Sequence, residues 1–147
     1  MTDDDDRTTA MGLYQFAESY RICGSSLVTR LPSILRFDDP VRFLFLHAIE
    51  LYLKAVLRSS GMSVLQVKTM GHNIQRLLDM SKTSGFALPA DAEQGLVFFA
   101  DQTPIMETRY LKTGYSHRPT LEGLRDMTDM VREEARRVLR LAGLRIH

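Results

Sequence analysis

Val41-Arg-Phe-Leu-Phe-Leu-His-Ala-Ile-Glu-Leu-Tyr-Leu-Lys-Ala-Val-Leu57 is the stretch that decides the fold. It is apolar nearly all round at helical period, so it predicts a helix enclosed by others rather than one lying on a surface. Arg42, His47, Glu50 and Lys54 interrupt it, which fits poorly with a bilayer span. His47, Glu50, Lys54 and Arg58 follow one another at steps of three and four, on one narrow stripe. Polar groups on the least exposed helix need partners or a purpose. In the structural reading Glu50 pairs with Lys54, Arg58 reaches solvent and His47 hydrogen-bonds a neighbouring helix. In the functional reading the stripe lines a cleft or faces a second copy, where a charged ligand is held.

Working outward, Asp39-Pro40 starts this helix, because the Asp side chain can accept from free amides and Pro loses nothing at the first helical position. Gly61 ends it. Upstream, Leu13, Phe16, Ala17, Tyr20, Cys23, Gly24, Leu27, Val28 and Leu31 predict a helix near 9–31 that stops before Pro32. Downstream, Ser63-Val-Leu-Gln66 fits a capping box, His72 to Met80 offers Ile74, Leu77 and Leu78 as an apolar face, and Ala90 to Ala100 reads as a further helix. Thr103-Pro104 can cap a kinked continuation over 105–112, Gly114 to Pro119 reads as a loop, and Thr120 to Leu141 is the last helix. The pattern shows no strand-like alternation and no repeat. The fold expected is all-α, an antiparallel four-to-five-helix bundle with the second helix at its centre.

The 147 residues suit one helical domain over 9–147, preceded by a disordered acidic tail, 1–8, in which Asp3 to Asp6 repel one another. With 44% apolar and 25% charged residues the composition is that of an ordinary soluble domain, with no membrane class favoured. The N-terminus lacks the basic-then-apolar order of a secretory signal, so a cytoplasmic location is expected. A single cysteine, Cys23, excludes an internal disulfide and a multi-cysteine zinc site, and its place on an apolar helical face reads as a core thiol. Four scattered His leave metal binding unsupported, and no cofactor is expected. A net charge of +1 does not announce a nucleic-acid binder. Arg125, Arg132, Arg136 and Arg140 do share a face of the last helix, either as a solvated face offset by Asp129, Glu133 and Glu134 or as a phosphate-binding stripe.

His47-Ala-Ile-Glu-Leu-Tyr-Leu-Lys-Ala-Val-Leu57, His72-Asn-Ile-Gln-Arg-Leu-Leu78 and Glu107-Thr-Arg-Tyr110 together resemble the HEPN domain of nucleic-acid-associated proteins. The shared order is A-x-E-x-x-L-K-A, then H-x-x-x-x-L-L, then R-Y, covering most of the chain. The resemblance implies a four-to-five-helix bundle, homodimerisation and, in many members, metal-independent RNA cleavage. Those members carry an Arg and, four to six residues beyond it, a His. There the RNA 2′-hydroxyl attacks the adjacent phosphate, and His and Arg handle the protons and the developing charge.

This chain departs from that spacing. Seven residues separate Arg109 from His117, the pair in the suitable position. Arg42 with His47 and Arg140 with His147 satisfy the spacing, but 15 Arg and 4 His supply about one such match by chance. Arg109 can instead pair with Glu50 across the bundle, or contact a phosphate while Tyr110 or Tyr115 stacks on a base. His72 reads as a helix-start residue bonding backbone. Three functions follow. The first is a HEPN-like module binding RNA, a nucleotide or a protein partner without nuclease chemistry, its candidate binding residues being His47, Glu50, Lys54, Tyr110 and Tyr115. The second is an endoribonuclease acting through Arg109 and His117 at a dimer interface. The third is a helical interaction protein, favoured if the second and last helices do not pack antiparallel.

Overall fold

The computed structural model describes residues 7–30, 38–102 and 120–147, and every described element is helical. Six helices follow in order: α1, Ala10–Val28; α2, Asp39–Ser59; α3, Val64–Thr69; α4, Ile74–Lys82; α5, Ala90–Gln102; and α6, Leu121–Leu141. Local chemistry explains their ends. The hydroxyls of Thr9 and Thr120 accept from the amides of Gly12 and Gly123, each at 3.0 Å. Ser63 and Gln66 form the expected reciprocal capping box, at 3.2 and 2.8 Å. Asn73 caps α4 through the Arg76 amide. Gly61 leaves α2 with φ +96, a conformation that would strain any residue with a Cβ.

α2 is the central helix: 13 of its 21 residues are buried, among them Phe45, Ile49, Tyr52, Leu53 and Val56 with no exposed surface. α1 packs along it in the opposite direction. Arg58 at the far end of α2 donates to the Thr8 carbonyl, Tyr52 meets Glu18, and the Phe45 ring meets Gly24. Gly24 is what lets the two backbones approach, since a Cβ there would lie 3.1 Å from two carbons of that ring. α6 also runs against α1, because Glu18 bonds Arg132 while Arg21 pairs with Asp129, three residues further along α1 and three earlier on α6. α2 and α6 therefore run in the same direction, which corrects the expectation that they pack antiparallel. In an up-and-down arrangement two helices that both oppose α1 must be parallel to each other.

The opposite end of the core is closed by α3, α4 and α5. Ile74, Leu77 and Leu78 bury the face of α4 that the apolar spacing marked, and Phe86 is inserted behind it with 1% exposure. The Phe86–Ala87 turn is held to α6, where Glu134 accepts from the Ala87 amide at 2.9 Å and Arg137 donates to the Gly85 carbonyl at 2.7 Å.

The first helix needs the largest correction. Only Tyr14, Ala17 and Gly24 of α1 are buried, whereas Cys23 is exposed, Phe16 is 64% accessible and Leu27 41%. Cys23 is thus not a core thiol. α1 is apolar on several sides, and the side it turns inward is chosen by Glu18 and Arg21, which bond to α2 and α6. Among the described residues no helix is long and apolar enough to cross a membrane.

The Gly24–Phe45 contact gives a sharp test. Gly24→Val should lower stability by ~1–3 kcal/mol in urea unfolding, because the Phe45 ring is fully enclosed and cannot move aside. An unchanged midpoint would mean that α1 and α2 are not this close.

Candidate functional site

Glu50 sits on α2 with 1% of its side chain exposed, and Lys54, His72 and His47 gather around it. Lys54, one turn later, donates to Oε1 at 2.6 Å. His72, at the turn between α3 and α4, places Nδ1 2.9 Å from Oε1 and 3.0 Å from Oε2. His47 Nδ1 stands 3.6 Å from Oε2, beyond hydrogen-bonding range, and has no hydrogen-bond partner among the described residues. Burial pushes the Glu50 carboxyl up, but His47, Lys54 and His72 outweigh it and hold the pKa at about 2. At 3.6 Å the help from His47 is electrostatic rather than a bond.

The expected Glu50–Lys54 pair is therefore present, and two details differ. His47 does not hydrogen-bond a neighbouring helix. Its ring stacks on Phe43 at 5.4 Å and takes the edge of Tyr20 at 4.5 Å, so it is packed as an aromatic. Arg58 does not end in solvent but donates to the carbonyls of Thr8 at 2.9 Å and Met62 at 2.7 Å. His72 bonds a side chain, not backbone. Its role escaped sequence reasoning because 22 residues separate it from Glu50, although a polar residue beside the helix-starting Asn73 was a signal.

A second, partly buried carboxylate went unnoticed. Glu18 on α1 accepts from the Tyr52 hydroxyl, from Arg21 Nε and Nη2, each at 3.2 Å, and from Arg132 Nε at 2.6 Å. Burial raises the Glu18 carboxyl, but the bonds from Arg132, Arg21 and Tyr52 prevail and hold it at about 2. The Tyr52 hydroxyl, buried beside that negative charge, is pushed far up and stays protonated. A Tyr on a helix whose neighbours are all apolar was the available signal, since a buried hydroxyl requires a partner.

The arginines of α6 are engaged with the protein itself. Arg132 reaches Glu18 and Glu133, Arg136 lies 3.4 Å from Glu133, Arg125 pairs with Asp126, and Arg140 donates to the Ile146 carbonyl at 2.9 Å. Of the three expected partners only Glu133 offsets this face, since Asp129 pairs with Arg21 and Glu134 with Arg137; Arg132 and Arg136 are mostly covered rather than solvated, and Glu18 is an acceptor that the sequence did not indicate. An open groove of about 500 Å³ lies elsewhere, along α5, lined by Ala90, Glu93, Gln94, Val97 and the half-exposed Phe98. Among the described residues no group of three or more His, Cys, Asp or Glu could hold a metal ion. Arg109, Tyr110, Tyr115 and His117 lie outside the described residues, as does any pairing of Arg109 with Glu50.

Glu50→Ala strands Lys54 and His72 and should cost ~3–5 kcal/mol, read by urea unfolding at neutral pH. A loss below 1 kcal/mol would mean that the cluster is solvated. Acid provides an independent check. Both carboxyls are lowered from 4.5 to about 2 on folding, so their stabilisation is complete above about pH 5 and is lost as pH falls towards 2. Stability that stays level from pH 6 to pH 3 would show that neither carboxylate is held in this way.

No protein-family model, no curated protein and no solved structure matches this chain.

Proposed function

We propose that the chain is a HEPN-like helical module that binds RNA, a nucleotide or a protein partner as a homodimer, without intact nuclease chemistry. One observation carries this reading. The two segments that suggested the resemblance, A-x-E-x-x-L-K-A and H-x-x-x-x-L-L, meet through their polar residues: Lys54 of the first and His72 of the second both bond the Glu50 carboxylate, at 2.6 to 3.0 Å. Periodicity alone gives no reason for that convergence. The same contacts use up Glu50 and Lys54 as structural groups, so ligand contact falls to the segment that carries Arg109, Tyr110 and Tyr115. Ribonuclease action through Arg109 and His117 remains the alternative.

Helix direction favours a second reading. α2 and α6 run the same way, the outcome expected of a helical interaction protein rather than of the antiparallel pairing. The exposed face of α1 fits such a role and fits dimerisation equally. Between Gln15 and Leu27 the outward side chains include Phe16, Ile22, Cys23 and Leu27, while the charged pair in that interval, Glu18 and Arg21, turns inward. A charge-free face can meet its own copy across a two-fold axis without like-charge repulsion.

Incubating the purified chain with structured RNA separates the readings. Uncut RNA, held with an affinity that falls steeply as salt rises, is the expected result. Products ending in 2′,3′-cyclic phosphate that vanish in both Arg109→Ala and His117→Ala would establish the ribonuclease instead. Products that survive in both variants would sink that assignment as well. In sedimentation equilibrium the wild type should be dimeric and Leu27→Asp monomeric with unchanged helical content; a wild-type monomer at all concentrations tested would remove the dimer.

A further inference from the structure

His72 is the most exposed member of the Glu50 cluster: its side chain is 47% accessible, against 22% for His47, 14% for Lys54 and 1% for Glu50. The carboxylate it touches is ionised and can only accept, so the proton of the imidazole must be on Nδ1, 2.9 and 3.0 Å from the two oxygens. In the neutral ring the lone pair is then on Nε2, on the edge turned away from the carboxylate. Gly71 at φ +58 and the capping Asn73 fix the backbone on either side. A carboxylate that orients an imidazole and balances the charge it acquires is the arrangement that makes a histidine nitrogen reactive.

We propose that Nε2 of His72 is a phosphoryl-acceptor site that takes its group from a small activated donor of the phosphoramidate or acyl-phosphate class. The Nε2 lone pair forms the N–P bond, and the bond from phosphorus to the donor's leaving nitrogen or oxygen breaks. The leaving group departs with that electron pair, as a carboxylate anion from an acyl phosphate or as neutral ammonia from the N-protonated phosphoramidate. Nδ1 keeps its proton, and the positive charge gained by the ring faces Glu50.

The surroundings suit a phosphoryl group better than a metal. His72 lies just ahead of α4, whose first turn carries Arg76 and no acidic side chain, so the positive end of the helix and a basic residue, rather than a further carboxylate, follow it in the chain. A metal would need further ligands, and among the described residues no group of three His, Cys, Asp or Glu supplies them. Glu50 is here a positioning residue.

The test treats the full chain with potassium phosphoramidate, quenches in alkali and maps the phosphorylated peptides. His147, exposed at the C-terminus, is the control within the same molecule. In the folded chain His72 should be modified at Nε2 faster than His147 by about tenfold or more, the worth of one charge-assisted hydrogen bond. In urea the two rates should converge. Glu50→Gln should slow His72 by a similar factor and leave His147 unchanged. Equal rates at His72 and His147 in the folded wild type, or a product at Nδ1, would overturn the proposal whether or not Glu50→Gln folds.

Discussion

Everything in this bundle depends on how one buried carboxylate is neutralised. Glu50 has 1% exposure, and an uncompensated charge at such a position costs several kcal/mol. Its compensation comes from two distances along the chain: Lys54, one turn on, and His72, 22 residues on. The first is available as soon as α2 forms. The second requires the chain to return, and so it pins the α3–α4 turn against α2. Ile74, Leu77 and Leu78 then fall onto the core as a consequence of where His72 is held. The same device recurs at Glu18, which draws Tyr52 and Arg132 together. Glu50 and Tyr52 are two residues apart on α2 and so point to nearly opposite sides. One side of α2 is thus polar-locked to α3 and α4, the other to α1 and α6, and apolar packing fills the space between the two locks.

That arrangement explains what could and could not be read from the residues. Several helix ends were legible, because Thr9, Ser63, Asn73 and Thr120 act on amides three residues away, and chemistry at that range is written in the sequence; the start of α2 departs from its reading, since Asp39 is already helical and the N-cap, Asp38, makes no side-chain capping bond. α2 was legible as the central helix because few positions on it tolerate water. α1 was not, since Leu13, Phe16, Cys23 and Leu27 are as apolar as the residues that it buries. Its rotation is settled by Glu18 and Arg21, whose partners are more than 30 and 100 residues away. The periodicity therefore assigned Cys23 to the core, whereas the ion pairs turned it outward.

The stripe of His47, Glu50, Lys54 and Arg58 was legible as a group that needed an explanation, and Glu50–Lys54 was legible as a pair. What the stripe does was not. Each of its members except His47 makes bonds that hold the scaffold, and groups committed to buried bonds are poor candidates for binding a charged ligand. The arginines of α6 follow the same logic, since Arg132 and Arg140 are bonded to Glu18 and to the Ile146 carbonyl. The polar content of the described helices is spent mostly on architecture.

The two imidazoles beside Glu50 show where that commitment stops. His47 is on the same helix at i−3, and its ring is clamped between Phe43 and Tyr20, so Nδ1 stays 3.6 Å from the carboxylate and unpaired. His72 arrives on a turn released by Gly71, and with that freedom it reaches bonding distance to both oxygens. Residues of equal chemistry thus end in different states because one is held by packing and the other by a hydrogen bond. Packing leaves His47 partly covered, with Nδ1 buried and unsatisfied. Hydrogen bonding leaves His72 with Nδ1 paired to both oxygens and nearly half of its side chain in solvent.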